Sequence, residues 1–196
     1  MDLSGLTIRH VLGFLKWTLF IVLLVAGTVF LFRERLFRAL FHFEGLHERS
    51  PANPGSQASA RPQTPPADST NDVGACIDSA LEETADALCF TTGHVRNDAA
   101  SVLKTGKANC IGYSAVFKDR CEEQLQRVGL SDEWRVQRMR GLLYCGSFNM
   151  HRLFSSPFWK DHDICVVENR RTGERVYVDP SLFDALGIRQ VSGPLN

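Results

Sequence analysis

One apolar stretch constrains this chain more than any other feature of its sequence. It runs from Val11 to Phe32 (VLGFLKWTLFIVLLVAGTVFLF) and contains one charged residue, Lys16. About 20 consecutive apolar residues cross a bilayer as a helix, and a helix that is apolar all round has no face suited to water. We therefore expect a single-pass transmembrane helix at residues 11–32, in contact with the lipid bilayer, after an N-terminal tail at residues 1–10.

A cleaved signal peptide is the alternative for this stretch, because Val25, Ala26 and Gly27 resemble a small-residue cleavage site. The apolar run continues past them, and the segment before them is long for a signal sequence, which favours an uncleaved anchor. The count of positive residues slightly favours a cytoplasmic C-terminal side. A short basic tail before a single span nevertheless often stays inside, so we expect an extracytoplasmic domain.

The next two segments have different compositions. Leu36, Phe37, Leu40 and Phe41 recur at helical spacing, which predicts a juxtamembrane amphipathic helix at residues 33–49, either in the headgroup layer or in solvent. Residues 50–71 hold five of the chain's eight prolines and no large apolar side chain. Such a composition is typical of a flexible linker, so we place the folded domain at residues 72–196.

The pattern of the domain changes from helical to strand-like along the chain. Helical spacing predicts helices at residues 73–90, 98–105 and 110–128. Alternation predicts strands at residues 134–139, 161–168 and 174–179, the last two joined as a hairpin by a turn at 169–173. Helices followed by strands indicate an α+β domain with helices packed on an antiparallel sheet.

Cys110 stands apart from the other cysteines because it lies at the predicted start of a helix. The helix N-terminus carries partial positive charge and unpaired N–H groups, which favour a thiolate and can stabilise an oxyanion. Packing in the core explains the others, and up to two disulfides could form among them outside the cytoplasm. These five are Cys76, Cys89, Cys121, Cys145 and Cys165.

A cysteine nucleophile needs a base and a group that orients the base. Of the six histidines, His162 alone opens a predicted strand whose hairpin partner ends in a carboxylate, Asp179. If Glu168 pairs with Gly173, His162 falls directly opposite Asp179, where facing residues lie close together. The sequence thus predicts a Cys110, His162 and Asp179 triad.

These segments resemble a known family. VLKTGKANCIGYSAVFKDRCEEQLQRVGL is similar to the nucleophile segment of transglutaminase-like domains of the papain-like cysteine proteinase superfamily, and DHDICVVENRRTGERVYVDPSLFD to their histidine and Asp-Pro strands. The resemblance implies Cys110 as nucleophile, His162 as general base and acid, and Asp179 as the residue that orients it. Two departures stand out: Asp163 follows the histidine where an aromatic residue or alanine is common, and no tryptophan between Asp72 and Asn109 completes an oxyanion hole.

The resemblance implies a membrane-anchored enzyme that cleaves or transfers peptide or protein amides through a thioester, without a cofactor. A catalytically inactive binding module on the same fold is the main alternative. Zinc is a second one, with Cys145, His151, His162 and Cys165 as ligand types, although their spacing does not match a zinc motif. A third is a purely structural Cys110. The net charge of zero gives no reason to expect a nucleic-acid partner.

Overall fold

A computed structural model of the protein describes residues 3–49, 73–93, 95–96, 98–155 and 160–195. The predicted linker at residues 50–71 lies outside the described residues. The described part is α+β, as predicted, with six α-helices and an antiparallel sheet. The helices are α1 (Leu3–Leu31), α2 (Arg33–Leu40), α3 (Val73–Ala87), α4 (Ala99–Thr105), α5 (Cys110–Arg127) and α6 (Pro180–Leu186).

Seven strands complete the described fold, together with a short 3₁₀ helix at Met150–Leu153. The strands are β1 (Phe41–Glu48), β2 (Cys89–Phe90), β3 (Lys107–Ala108), β4 (Trp134–Cys145), β5 (Phe148–Asn149), β6 (His162–Asn169) and β7 (Arg175–Val178). The main sheet has the order β1-β4-β6-β7, with β5 beside β4, and all its neighbours are antiparallel. Strands β2 and β3 form a separate parallel pair.

Helix α1 contains the apolar stretch. It begins at Leu3, so residues 3–10 are helical rather than a tail. Within the described residues, the segment Gly13–Leu31 is long and apolar enough to cross a membrane, and none of it is buried in the protein. A signal sequence near the N-terminus meets the same criterion of length and composition.

The expected amphipathic helix at residues 33–49 is wrong beyond Leu40. Residues Phe41–Glu48 form the edge strand β1, which pairs with β4. Phe43 has no exposed surface and packs in a cluster with Ile164, so burial on the sheet outweighs continuation of the helix. A bulge lies between Glu44 and His47, where Gly45 adopts a φ of 60°. The folded unit therefore does not begin at residue 72, because it includes Phe41–Glu48.

Helices cover both faces of the main sheet. On one face α3 and α5 pack against β4, β6 and β7 through a core that includes Leu81, Phe117, Cys121, Val136 and Val167. On the other face Phe43 and Ile164 pack with Ile188 and Val191 of the C-terminal segment, supported by Phe37 of α2 and Leu182 of α6. Strand β6 lies at the centre, and seven of its eight residues are buried.

The hairpin of β6 and β7 has a longer turn than predicted. Glu168 pairs with Arg175 rather than with Gly173. The side chain of Asn169 accepts hydrogen bonds from the N–H groups of Arg171 and Thr172 at 2.9 and 3.0 Å, which extends the turn. The register is displaced by two residues, and an even displacement leaves every side chain on its predicted face.

Two other boundaries differ from the prediction. Helix α3 ends at Ala87, so Cys89 lies exposed in β2 rather than in the first helix. Strand β4 runs beyond Met139 to Cys145, because its second half pairs with β1.

Candidate active site

Cys110 is the first residue of α5, as predicted from the sequence. The chain enters this helix from β3, and Asn109 caps it by accepting a hydrogen bond from the N–H of Gly112 at 3.2 Å. The N–H groups in the first turn of a helix have no partner within the helix. Cys110 is 8 % exposed, so its sulfur lies in a largely enclosed position at the positive end of α5.

His162 lies between the sulfur and a carboxylate. Its Nε2 is 2.7 Å from Oδ2 of Asp179. The thiol of Cys110 lies close enough to the ring to contribute to raising the pKa of His162. Phe43 of β1 stacks on the imidazole with ring centroids 5.8 Å apart. The structure therefore brings together all three residues that the sequence singled out, with Nε2 engaged by Asp179 and Nδ1 left for the sulfur.

Asp179 is fixed by the helix that follows it. It is fully buried and caps α6, where its Oδ1 accepts hydrogen bonds from the N–H groups of Ser181 and Leu182, both at 3.1 Å, and from the hydroxyl of Ser181 at 2.7 Å. Oδ1 is thereby occupied by the cap, and Oδ2 faces His162. Because the cap binds Oδ1, the position of the carboxylate does not depend on its contact with the imidazole.

The end of β7 leaves an opening in the sheet at this point. Its last residue, Val178, pairs with Cys165, so the first residues of β6 have no pairing with β7. Continued in the same register, Asp179 would face Ile164, two positions from His162 on the same side. Diagonal neighbours at this spacing are within reach of long side chains. The shifted register thus converts the predicted facing pair into a diagonal one.

His162 and Asp179 favour each other's charged forms. Burial alone would lower the pKa of His162, but the charge of Asp179 and hydrogen bonds with Asp179 and Cys110 raise it well above its usual value. Burial likewise opposes ionisation of Asp179, while the imidazole and the hydrogen bonds of the cap hold its pKa below the usual range.

Two contacts tie the first turns of α5 to the rest of the site. The hydroxyl of Tyr113 donates to Asp184 of α6 at 2.5 Å. The guanidinium of Arg138 donates to the carbonyl of Ile111 at 2.9 Å. The helix tip is thus held against both α6, which Asp179 caps, and the sheet that carries the histidine.

Asp163, next to the histidine, belongs to a buried ion-pair network. It is 1 % exposed and contacts Arg49 at 2.6 and 2.9 Å and Arg138 at 3.9 Å. Sequence reasoning missed both arginines as well as Phe43. The only signal for them was Asp163 itself, a charged residue at a position where the family resemblance leads one to expect an apolar one.

Two of the other thiols are hard to ionise. All six cysteines are free in the structure. Burial raises the pKa of Cys121 to about 12 and that of Cys165 well above its usual value. Across the described residues no group of three histidine, cysteine or acidic side chains is arranged to hold a metal.

A cavity of about 290 Å³ opens near the network of Asp163. It is lined by His47, Glu48, Arg49 and Arg140. Because Arg49 also contacts Asp163, the cavity adjoins the strand that carries His162.

No family model, curated protein or solved structure matches this chain.

Proposed function

We propose that this chain is a membrane-anchored, cysteine-dependent acyl-transfer enzyme with a transglutaminase-like core of the papain-like cysteine proteinase superfamily. One observation carries the proposal: an imidazole that is hydrogen-bonded to a buried carboxylate also contacts a thiol at the tip of a helix. Nucleophile, base and orienting group in this order make up the minimal machinery for acyl transfer. The chain order Cys110, His162, Asp179 and the antiparallel sheet agree with that superfamily.

The geometry supports a two-step reaction on a peptide or protein amide. The Cys110 thiolate attacks the carbonyl carbon, and the carbonyl electron pair moves to the oxygen. When the tetrahedral intermediate collapses, the C–N bond breaks and the protonated His162 gives its proton to the leaving amine. Asp179 keeps the imidazole in place during both proton transfers.

The acceptor in the second step decides between hydrolysis and transamidation. His162, now neutral, can take a proton from water or from an amine that attacks the thioester. Transfer to an amine requires a site that excludes water. His162 is 21 % exposed, which gives water access to the base, so we propose hydrolysis as the main outcome.

Alkylation of the intact protein tests the proposal. The full chain in detergent is treated with limiting iodoacetamide across a range of pH, and each cysteine is followed by peptide mapping. We expect Cys110 to react faster than Cys89, which is exposed and serves as the matched ordinary thiol. Replacement His162→Ala should slow labelling of Cys110 by about 10²-fold, since the base is lost, and leave Cys89 unchanged.

The opposite result favours the alternative function. If Cys89 reacts first and Cys110 does not respond to His162→Ala, the three residues are not a catalytic unit. The chain would then be a binding module on the same fold. Cys121 and Cys165 should stay unlabelled in either case, because they are buried and have raised pKa values.

We also propose that α1 is the membrane anchor. The support is its length, its composition and the exposure of its apolar side chains. The full chain should sediment with membranes after an alkaline wash, and deletion of residues 3–31 should release it. A mature N-terminus just after Gly27 would instead identify the segment as a signal peptide.

A further inference from the structure

The proposed reaction also requires groups that stabilise the oxyanion. An oxyanion formed at the substrate carbonyl needs hydrogen-bond donors aimed at it. The N–H of Cys110 is one, because it is the first residue of α5 and has no partner within the helix. The sequence offers no tryptophan upstream as a second donor.

Asn109 is directly adjacent and carries a donor without a partner. It is 7 % exposed, and its side-chain oxygen is identified by the hydrogen bond it accepts from the N–H of Gly112. The other end of the amide is therefore Nδ2, with two N–H groups. Within the described parts of the chain, Nδ2 has no hydrogen-bond partner, and it is not sealed from solvent.

Asparagine at position 109 has N–H donors that capping the helix does not require. Serine, threonine and aspartate cap helices about as well, since the cap needs only an oxygen acceptor. An amide adds donors that the cap leaves unused. These donors have no partner within the described residues, so they are available to an oxygen of a bound ligand.

We propose that Nδ2 of Asn109 and the backbone N–H of Cys110 together form the oxyanion hole. This rests on the proposed acyl-transfer function. The substrate class follows from it: a carbonyl compound whose oxygen gains negative charge when the sulfur attacks, as in an amide or ester. The cap hydrogen bond holds the amide plane in place before the substrate arrives, so the donor needs little reorganisation.

The test compares two reactions of the same sulfur in the full chain. Acylation by p-nitrophenyl acetate passes through a tetrahedral oxyanion, whereas alkylation by iodoacetamide does not. Asn109→Ser keeps a capping oxygen and removes the amide donor. We expect acylation of Cys110 to fall by about 10²-fold while its alkylation changes little.

Matched variants separate this role from a structural one. Asn149 also caps a helix, accepting from the N–H of His151 at 2.9 Å, so Asn149→Ser makes the same substitution away from the sulfur. It should leave both rates unchanged. Asn109→Asp, which preserves the shape of the side chain, should lower the ratio of acylation to alkylation as Asn109→Ser does.

The outcomes distinguish the role of Asn109 in the oxyanion hole from the acyl-transfer function on which it rests. If Asn109→Ser acylates and alkylates like the wild type, Asn109 is only a cap and the inference fails while the acyl-transfer function stands. An equal fall in both rates also overturns it, because the residue would then act through the fold or the thiolate. If wild-type Cys110 shows no preferential reaction with either reagent, the acyl-transfer function itself fails.

Discussion

Each end of β6 carries a carboxylate paired with two arginines, but the arginines at the two ends differ in exposure to solvent. At the turn end Glu168 accepts hydrogen bonds from Arg135 at 2.6 Å and from Arg175 at 2.9 Å. At the site end Asp163 lies between Arg49 and Arg138. The arginines of Glu168 are 45 and 53 % exposed, whereas those of Asp163 are 27 and 11 % exposed.

The difference lies in where the partners come from. Arg175 is seven positions from Glu168 along the chain, on the other strand of one hairpin. Arg49 is 114 positions from Asp163 and lies just after β1, and the same strand supplies the phenylalanine that stacks on His162. The turn end thus has one partner from its own hairpin, whereas the site end has one from a segment next to the apolar helix. The proposed base is held in place by residues that precede position 50.

The largest expected effect follows from removing one arginine at each end. Arg49→Met should lower the free energy of unfolding by about 3 kcal/mol, because it leaves a buried carboxylate with one distant partner. Arg175→Met should cost less than about 1 kcal/mol, because Arg175 is half-exposed and Arg135 still binds Glu168. Urea unfolding of the full chain in one detergent, followed by the fluorescence of buried Trp134, measures both.

Equal losses would contradict the comparison. They would mean that β1 is dispensable to the site end despite its contacts. Arg49→Lys refines the experiment: it keeps the charge but not the two-pronged contact with Asp163, so it should recover part of the lost stability.

The sequence predicted the parts of the site that depend on local patterns. The start of α5 at Cys110 followed from helical spacing. The shared face of His162 and Asp179 survived a wrong turn length because the strand period is two and the displacement was even. What it could not fix was the length of the turn, since that depends on which N–H groups the side chain of Asn169 binds.

Strand β1 was missed for a different reason. Phe41 continues the helical spacing of Leu36, Phe37 and Leu40, so the local pattern favours a helix across the boundary. The bulge at Gly45 interrupts the alternation that would have indicated a strand. Residues 41–48 form a strand because they pair with β4, which lies far along the chain. A contact between segments so far apart leaves no pattern in the local sequence. The same holds for Arg49, whose role becomes visible only once Asp163 is seen beside it.

The smallest expected effect is on the pH dependence of stability, since water reaches the ring of His162 and screens its interactions. The folded pKa of His162 lies above its unfolded value of about 6.5, so its contribution is complete below that pH and is lost as the pH rises through the folded pKa. At the turn end, a hydrogen bond from Arg135, with a smaller contribution from Arg175, lowers the pKa of Glu168. Its contribution is present above about 4.5 and is lost as the pH falls through the folded pKa.

The two ends should therefore weaken at opposite extremes of pH. The stability difference between wild type and His162→Gln should shrink on the alkaline side, and that between wild type and Glu168→Gln on the acidic side. Unfolding of the three proteins from acidic to alkaline pH measures this. If the His162→Gln difference instead grows as the pH rises past 6.5, the imidazole is not held as a cation between Asp179 and Cys110, and the site end is built differently from the way we describe it.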